Sequence, residues 1–270
     1  MVRASRICNV KLEIYQINAF SNQSFQGNPA CVVPLKEWLP DHVLLSIAQE
    51  NAVAETAFYI LSNQHVQLRW FTPELEMDLC GHASLAAAHC LFRSTEFLGN
   101  KIEFHTRSGK LNVTYTEGLY HLDLPSRMPQ PTSLPGQIQK AISIQPKEVY
   151  KSRDYLLLYD CEEQIKSINI NKVYFDQINL QTGGVIVTSP SDTWDFVSRF
   201  FTPQASILED PVTGSAHCSL IPFWSLRLKK NRLIARQISK RGGTLKCENR
   251  KERVIISGTA KTYLKGSIWI

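Results

Sequence analysis

Residues 11–20 place Leu12, Ile14, Ile17 and Phe20 among polar neighbours, an alternation that predicts a first strand. Gly27-Asn28-Pro29-Ala30 punctuates it as a turn, and residues 31–35 resume as an apolar strand. Val43, Leu44, Ile47 and Ala48 recur at helical spacing, so residues 41–51 are predicted helical with Asp41 capping the first turn. Residues 56–60 and 66–71 read as two strands around a polar Ser62-Asn63-Gln64 turn. Residues 83–92 differ, being apolar nearly all round and rich in small side chains, the mark of a helix enclosed by other structure. Residues 216–226 repeat that character, with Pro222 predicted to kink or end the helix. A strand at residues 185–188 precedes this second helix, and Pro125, Pro129, Pro131 and Pro135 make the intervening stretch an extended connection.

The pattern occurs twice. Arg69-Trp70-Phe71-Thr72-Pro73 leads to Cys80-Gly81-His82-Ala83, and Arg199-Phe200-Phe201-Thr202-Pro203 leads to Thr213-Gly214-Ser215-Ala216. Each then runs into a His-Cys pair, at His89-Cys90 and His217-Cys218, and a third echo sets Arg107-Ser108-Gly109-Lys110-Leu111 against Arg241-Gly242-Gly243-Thr244-Leu245. Three matches in one order at an almost constant offset argue for two halves of similar fold rather than a short-period solenoid. The prediction is an α+β protein of two pseudo-symmetric domains, residues 1–127 and 128–270, with the last strand free to return to the first. A cleft between related halves is a favoured ligand site, so function is expected where the two glycine-containing turns face each other.

Composition narrows the classes without naming one. The 270 residues are 43% hydrophobic and 20% charged, which is ordinary globular material. No apolar run approaches a membrane span, and the opening Met1-Val2-Arg3-Ala4-Ser5-Arg6 lacks a signal-peptide core, so a cytoplasmic protein without a membrane partner is expected. Seven scattered cysteines, Cys8 among them, suit reduced thiols. The net charge of +6 comes mainly from the stretch Arg227, Lys229, Lys230, Arg232, Arg236, Lys240 and Arg241. Read as a solvated helix face and loop with no nucleic-acid module beside it, it argues against a nucleic-acid partner.

The two turns carry the candidate chemistry. A glycine beside a polar residue at a helix entrance leaves N–H groups unpaired, and the helix dipole draws an anion such as a carboxylate. One such turn is commonly just a tight bend with an N-cap serine; two related ones, at His82 and Ser215, suit a grip on one small acidic molecule. Glu209-Asp210-Pro211 precedes the second turn among apolar residues. Glu55 interrupts the apolar run of residues 52–58, where alternation alone would equally turn it outwards. Apolar surroundings raise carboxylate pKa values in general, as a proton shuttle near neutral pH requires.

Glu55-Thr56-Ala57-Phe58, Asp78-Leu79-Cys80-Gly81-His82-Ala83 and Glu209-Asp210-Pro211-Val212-Thr213-Gly214-Ser215-Ala216 resemble the three signature regions of the phenazine-biosynthesis, PhzF-like isomerase family. Asn18-Ala19-Phe20 and Gly27-Asn28-Pro29-Ala30 resemble its opening strand and loop, so the likeness covers essentially the whole chain. The resemblance implies the diaminopimelate epimerase fold, in which each domain wraps a curved sheet around a central helix. Epimerases and racemases of that fold use two opposed cysteines; here Cys80 holds the first position, but Thr213 aligns with the second and its hydroxyl is too weakly acidic to replace a thiolate.

The resemblance therefore implies a single-base isomerase. Glu55, His82 and Asp210 would be catalytic, and Asn28, Cys80, Gly81, Thr213, Gly214 and Ser215 would bind a small acidic metabolite. No cofactor and no metal are implied, and a homodimer is expected from related proteins. Two other readings compete: a non-catalytic descendant that binds a metabolite or protein in the old cleft, and a metal site from Cys80, His82, His89 and Cys90. The spacing of the latter four is not that of a structural zinc motif.

Overall fold

The computed structural model of the chain describes residues 10–270. The opening residues Met1 to Arg6 and Cys8, used above, lie outside the described residues.

The first half runs β1 (Lys11–Ala19), β2 (Asn28–Leu35), α1 (Asp41–Asn51), β3 (Glu55–Ser62), β4 (His65–Phe71), β5 (Glu76–Met77), α2 (Gly81–Phe92), β6 (Lys101–Thr106), β7 (Gly109–Thr116) and β8 (Leu119–Pro125). Next come β9 (Gln130–Pro131), α3 (Gly136–Ala141), β10 (Glu148–Lys151), β11 (Tyr155–Leu158), α4 (Glu162–Ser167), α5 (Lys172–Phe175) and β12 (Val185–Pro190). The chain ends through β13 (Phe196–Phe201), β14 (Glu209–Asp210), α6 (Gly214–Leu228), β15 (Arg232–Gln237), β16 (Gly243–Arg250), β17 (Arg253–Gly258) and β18 (Ala260–Trp269).

Strand pairing reads as a palindrome about the antiparallel contact of β8 with β17. On one side β2 and β3 are parallel, β3 and β4 antiparallel, and β4 and β6 parallel. On the other side β11 and β12, β12 and β13, and β13 and β15 repeat those three relations. The parallel pairs need crossovers, supplied by α1 and then α2 in the first half and by α4 with α5 and then α6 in the second. The last strand, β18, pairs antiparallel with β1. The result is two pseudo-symmetric halves, each a curved sheet around one central helix, α2 or α6.

The central helices are enclosed because their sequences leave nothing that must face water. In α2 every residue from Gly81 to Leu91 is buried, and Ala83, Ala86, Ala87 and Ala88 let the sheet approach closely. In α6 the helix continues through Pro222 to Leu228, so the proline does not end it. Proline removes the N–H that would have bonded the carbonyl four residues back, at Cys218. That carbonyl instead accepts from the backbone N–H of Arg127, 2.9 Å away in the connection between the halves.

Two other expectations are corrected. Pro40, not Asp41, is the N-cap of α1, and the Asp41 carboxylate accepts from Arg69 Nη2 at 2.9 Å. The basic stretch is helix only at Arg227, in the last turn of α6; from Arg232 it is strand β15 and the turn that follows. Its Arg241 donates to the backbone carbonyls of Gly27 and Gln26 and to Asn18 Oδ1, tying the second half to the first.

Candidate functional site

The entrances of α2 and α6 meet between the halves. Cys80 and Thr213 are the N-caps, both extended, and neither side chain caps its own helix. The first-turn N–H groups of two long helices therefore converge with their positive dipole ends on one region. Gly81 and Gly214 are in backbone contact there: a Cβ on either would stand 3.1 Å from the other's Cα.

Each entrance is held by the same device. Arg69 forks onto Glu76 with Nε and Nη2, both at 2.7 Å, and Arg199 forks onto Glu209 at 2.7 and 3.0 Å. These bidentate pairs pin the short strands β5 and β14 that lead into the two turns. The Phe-Thr-Pro loops following β4 and β13 then project over the gap, and Ser206 N–H donates to Glu74 Oε1 across it at 3.1 Å. Beneath lies a cavity of about 300 Å³ whose wall includes Glu55, Cys80, Gly81, His82, Asp210, Thr213, Gly214 and Ser215.

Glu55 opens β3, where pairing with Ala30 of β2 fixes its register and sends it to the cavity rather than outwards. Its Oε2 lies 3.0 Å from Nε2 of His82, the second residue of α2. The two atoms are close but poorly aligned, and neither makes a well-formed hydrogen bond among the described residues. The other ring nitrogen, Nδ1, faces Cys80 Sγ at 3.6 Å. Burial pushes the Cys80 thiol up to about 11, with the Glu55 charge acting in the same direction, so it is a neutral thiol near pH 7. Burial by itself would lower the pKa of His82, but its acidic neighbours outweigh that and hold it well above the ordinary value.

Asp210 ends β14 opposite. One carboxylate oxygen accepts from Asn28 Nδ2 at 2.7 Å and the other from the Thr213 hydroxyl. Burial raises its pKa, against the lowering effect of His82 and of these donors. Asn28 is buried and also donates to the Val212 carbonyl at 2.9 Å, so it stands behind Asp210 rather than on the cavity wall. Gln237 completes the support, donating to the Asp210 carbonyl and accepting from Thr213 N–H.

Arg153, on the loop between β10 and β11, also lines the cavity and was missed by sequence reasoning. Its Nη2 donates to Ser215 Oγ at 2.9 Å. The adjacent Arg-Asp pair at 153–154 was the one available signal.

The metal set Cys80, His82, His89 and Cys90 is not assembled. The His89 ring is taken up by Tyr120 and Thr262 at 2.8 Å each. Glu55, Cys80 and His82 do offer ligand atoms within 4.8 Å of one another. The close contacts to Cys80 and Glu55 use opposite ring nitrogens of His82, so they do not point to one ion position. Among the described residues no helix is long and apolar enough to cross a membrane.

Known proteins match this architecture along nearly its whole length. The sequence model for "Phenazine biosynthesis-like protein" matches residues 17–266. A Pseudomonas aeruginosa protein named an uncharacterized isomerase is 44% identical over 260 residues, covering 96% of this chain and 99% of the relative. The crystal structure of an Enterococcus faecalis phenazine biosynthesis protein of the PhzF family superposes with a TM-score of 0.90 at 42% identity, covering 97% and 100% of the two chains. A hydroxyproline epimerase from Agrobacterium vitis shares the fold, with a TM-score of 0.62 at 9% identity, covering 96% and 93%.

Proposed function

The chain belongs to the phenazine biosynthesis-like protein family, and on that premise we propose that it is a cofactor-independent isomerase that moves a proton within a small carboxylic acid. The observation that carries this reading is the Glu55–His82 contact on the cavity wall, 3.0 Å long, with neither atom committed to an aligned partner.

In the proposed reaction the Glu55 carboxylate takes a proton from a substrate carbon, breaking C–H and forming O–H. The electron pair spreads into the adjacent unsaturated or carboxyl-bearing system as an enolate-like charge. His82 as imidazolium, together with the first-turn amides at Gly81 and Gly214, faces that charge; fixed donors of this kind are worth ~3 kcal/mol each. Protonated Glu55 returns the proton to a second carbon on the same face, and the double bond has moved. Asp210, braced by Asn28 and Thr213, orients and polarises the substrate.

Two-thiol racemisation is disfavoured in this reading. Cys80 is a neutral thiol with a pKa pushed up to about 11, and the symmetry-related N-cap is Thr213, whose hydroxyl is committed to Asp210. Replacing Glu55 by Gln is the test: isomerisation disappears while the fold and ligand binding persist. A variant that turns substrate over at the wild-type rate refutes the assignment.

A further inference from the structure

Arg153 is the one permanently charged cation on the cavity wall among the described residues. Only one edge of its guanidinium is engaged. Nε and Nη2 donate to the Asp154 carboxylate at 3.2 and 3.1 Å, and Nη2 also donates to Ser215 Oγ. Nη1 is buried as well and has no hydrogen-bond partner among the described residues.

This pairing is built into the fold. Asp154 is 1% exposed and accepts from Gly184 N–H at 2.9 Å, at the entrance to β12. Arg153 is thereby fixed against the first turn of α6 rather than swinging in a loop. Ser215 accepts from Arg153, so its own hydroxyl proton is left to donate elsewhere.

Arg153 is half-buried, and its Nη1, without a partner among the described residues, is unfavourable until an acceptor reaches it. The first-turn amides and dipole of α6 favour a negative group at the same place. Elsewhere the wall carries the carboxylates of Glu55, Glu74 and Asp210, which would repel one. Arg153 and the entrance of α6 together thus offer an acidic occupant a favourable position for its carboxylate.

We propose that Arg153, with the Ser215 hydroxyl and the first-turn amides of α6, receives the substrate carboxylate and so decides which end of the molecule reaches Glu55. The inference rests on the proposed reading of the cavity as a site for a small acid. It adds the residue that selects the acid and sets its direction.

Equilibrium binding of benzoate and its neutral isostere benzamide, followed by calorimetry, tests the assignment. Wild-type protein is expected to favour benzoate by about tenfold or more, as a charge-assisted contact implies. Arg153→Met abolishes that preference and leaves benzamide unchanged, while Arg153→Lys, a point charge without the fork, retains part of it. Ser215→Ala, which removes the hydroxyl beside Arg153 but keeps the Arg153–Asp154 pair, weakens benzoate alone and supplies the comparison if Arg153→Met does not fold. Glu55→Gln keeps the preference, so failure of the proton-transfer reading and failure of this one are separable. Equal binding of the two probes, no saturable benzoate binding, or an undiminished preference in Arg153→Met overturns the proposal.

Discussion

Gly81 and Gly214 press backbone to backbone at the entrances of the two central helices, so that a Cβ on either would fall 3.1 Å from the other's Cα. The same pair of distances seen from both sides is the local signature of the pseudo-two-fold relation between the halves. It also brings both sets of unpaired first-turn amides to one cavity.

Gly81→Ala and Gly214→Ala should therefore each destabilise the protein. The added methyl meets main chain, which cannot swing aside, and overpacking of this kind costs about 1–3 kcal/mol. Denaturant unfolding reads the loss; a midpoint unchanged in both variants would show that the helix entrances are not in contact.

Two buried histidines make a pH prediction. Burial lowers His89 and His217 to about 4 each, from an ordinary value of 6.5. A histidine whose folded pKa is depressed binds its proton more readily when unfolded. Its contribution is thus complete above about pH 6.5 and is lost as pH falls from there towards 4. In His217→Gln, the stability difference from wild type should be constant above pH 6.5 and shrink below it. A difference independent of pH would mean that His217 is not held neutral.

Cys80 is predicted to be dispensable for chemistry. With its pKa near 11 it offers almost no thiolate at pH 7, the form needed for nucleophilic or base catalysis. Cys80→Ala should keep the isomerisation rate within about tenfold of wild type, and iodoacetamide should label Cys80 slowly at neutral pH. Loss of all activity in Cys80→Ala would return the thiol to the reaction.

His82 should titrate differently once its partner is neutral. In Glu55→Gln the carboxylate that favours the imidazolium is gone while burial remains, so the His82 pKa should fall. Imidazole NMR titration of both proteins measures it, and identical curves would show that the 3.0 Å contact carries no charge interaction.

Much of this arrangement was legible in the sequence because it is local and repeated. The Cys-Gly-His and Thr-Gly-Ser strings lie at the entrances of two apolar, small-residue helical stretches, and the repeat placed them opposite each other. Other features depend on partners far along the chain. Alternation could not decide the direction of Glu55; pairing of β3 with Ala30 does. Asn28, expected among the substrate-binding residues, reaches Asp210 from the other end of the sequence and braces it. Pro222 carried a correct local penalty that the Arg127 N–H offsets by capturing the freed carbonyl. Arg153 gave no periodicity or motif, and its place on the wall follows from a loop held by Asp154 and Ser215.

The central claim is that Glu55 carries the migrating proton, and deuterium transfer tests it most directly. A small carboxylic acid isomerised by the wild-type protein is deuterated at the carbon that loses its hydrogen and turned over in H2O, and the label is followed by NMR. The account predicts deuterium carried to the second carbon of the product with wild-type protein and a rate about 10²–10⁴ lower with Glu55→Gln at full ligand occupancy. Transfer at the wild-type rate in that variant would contradict it.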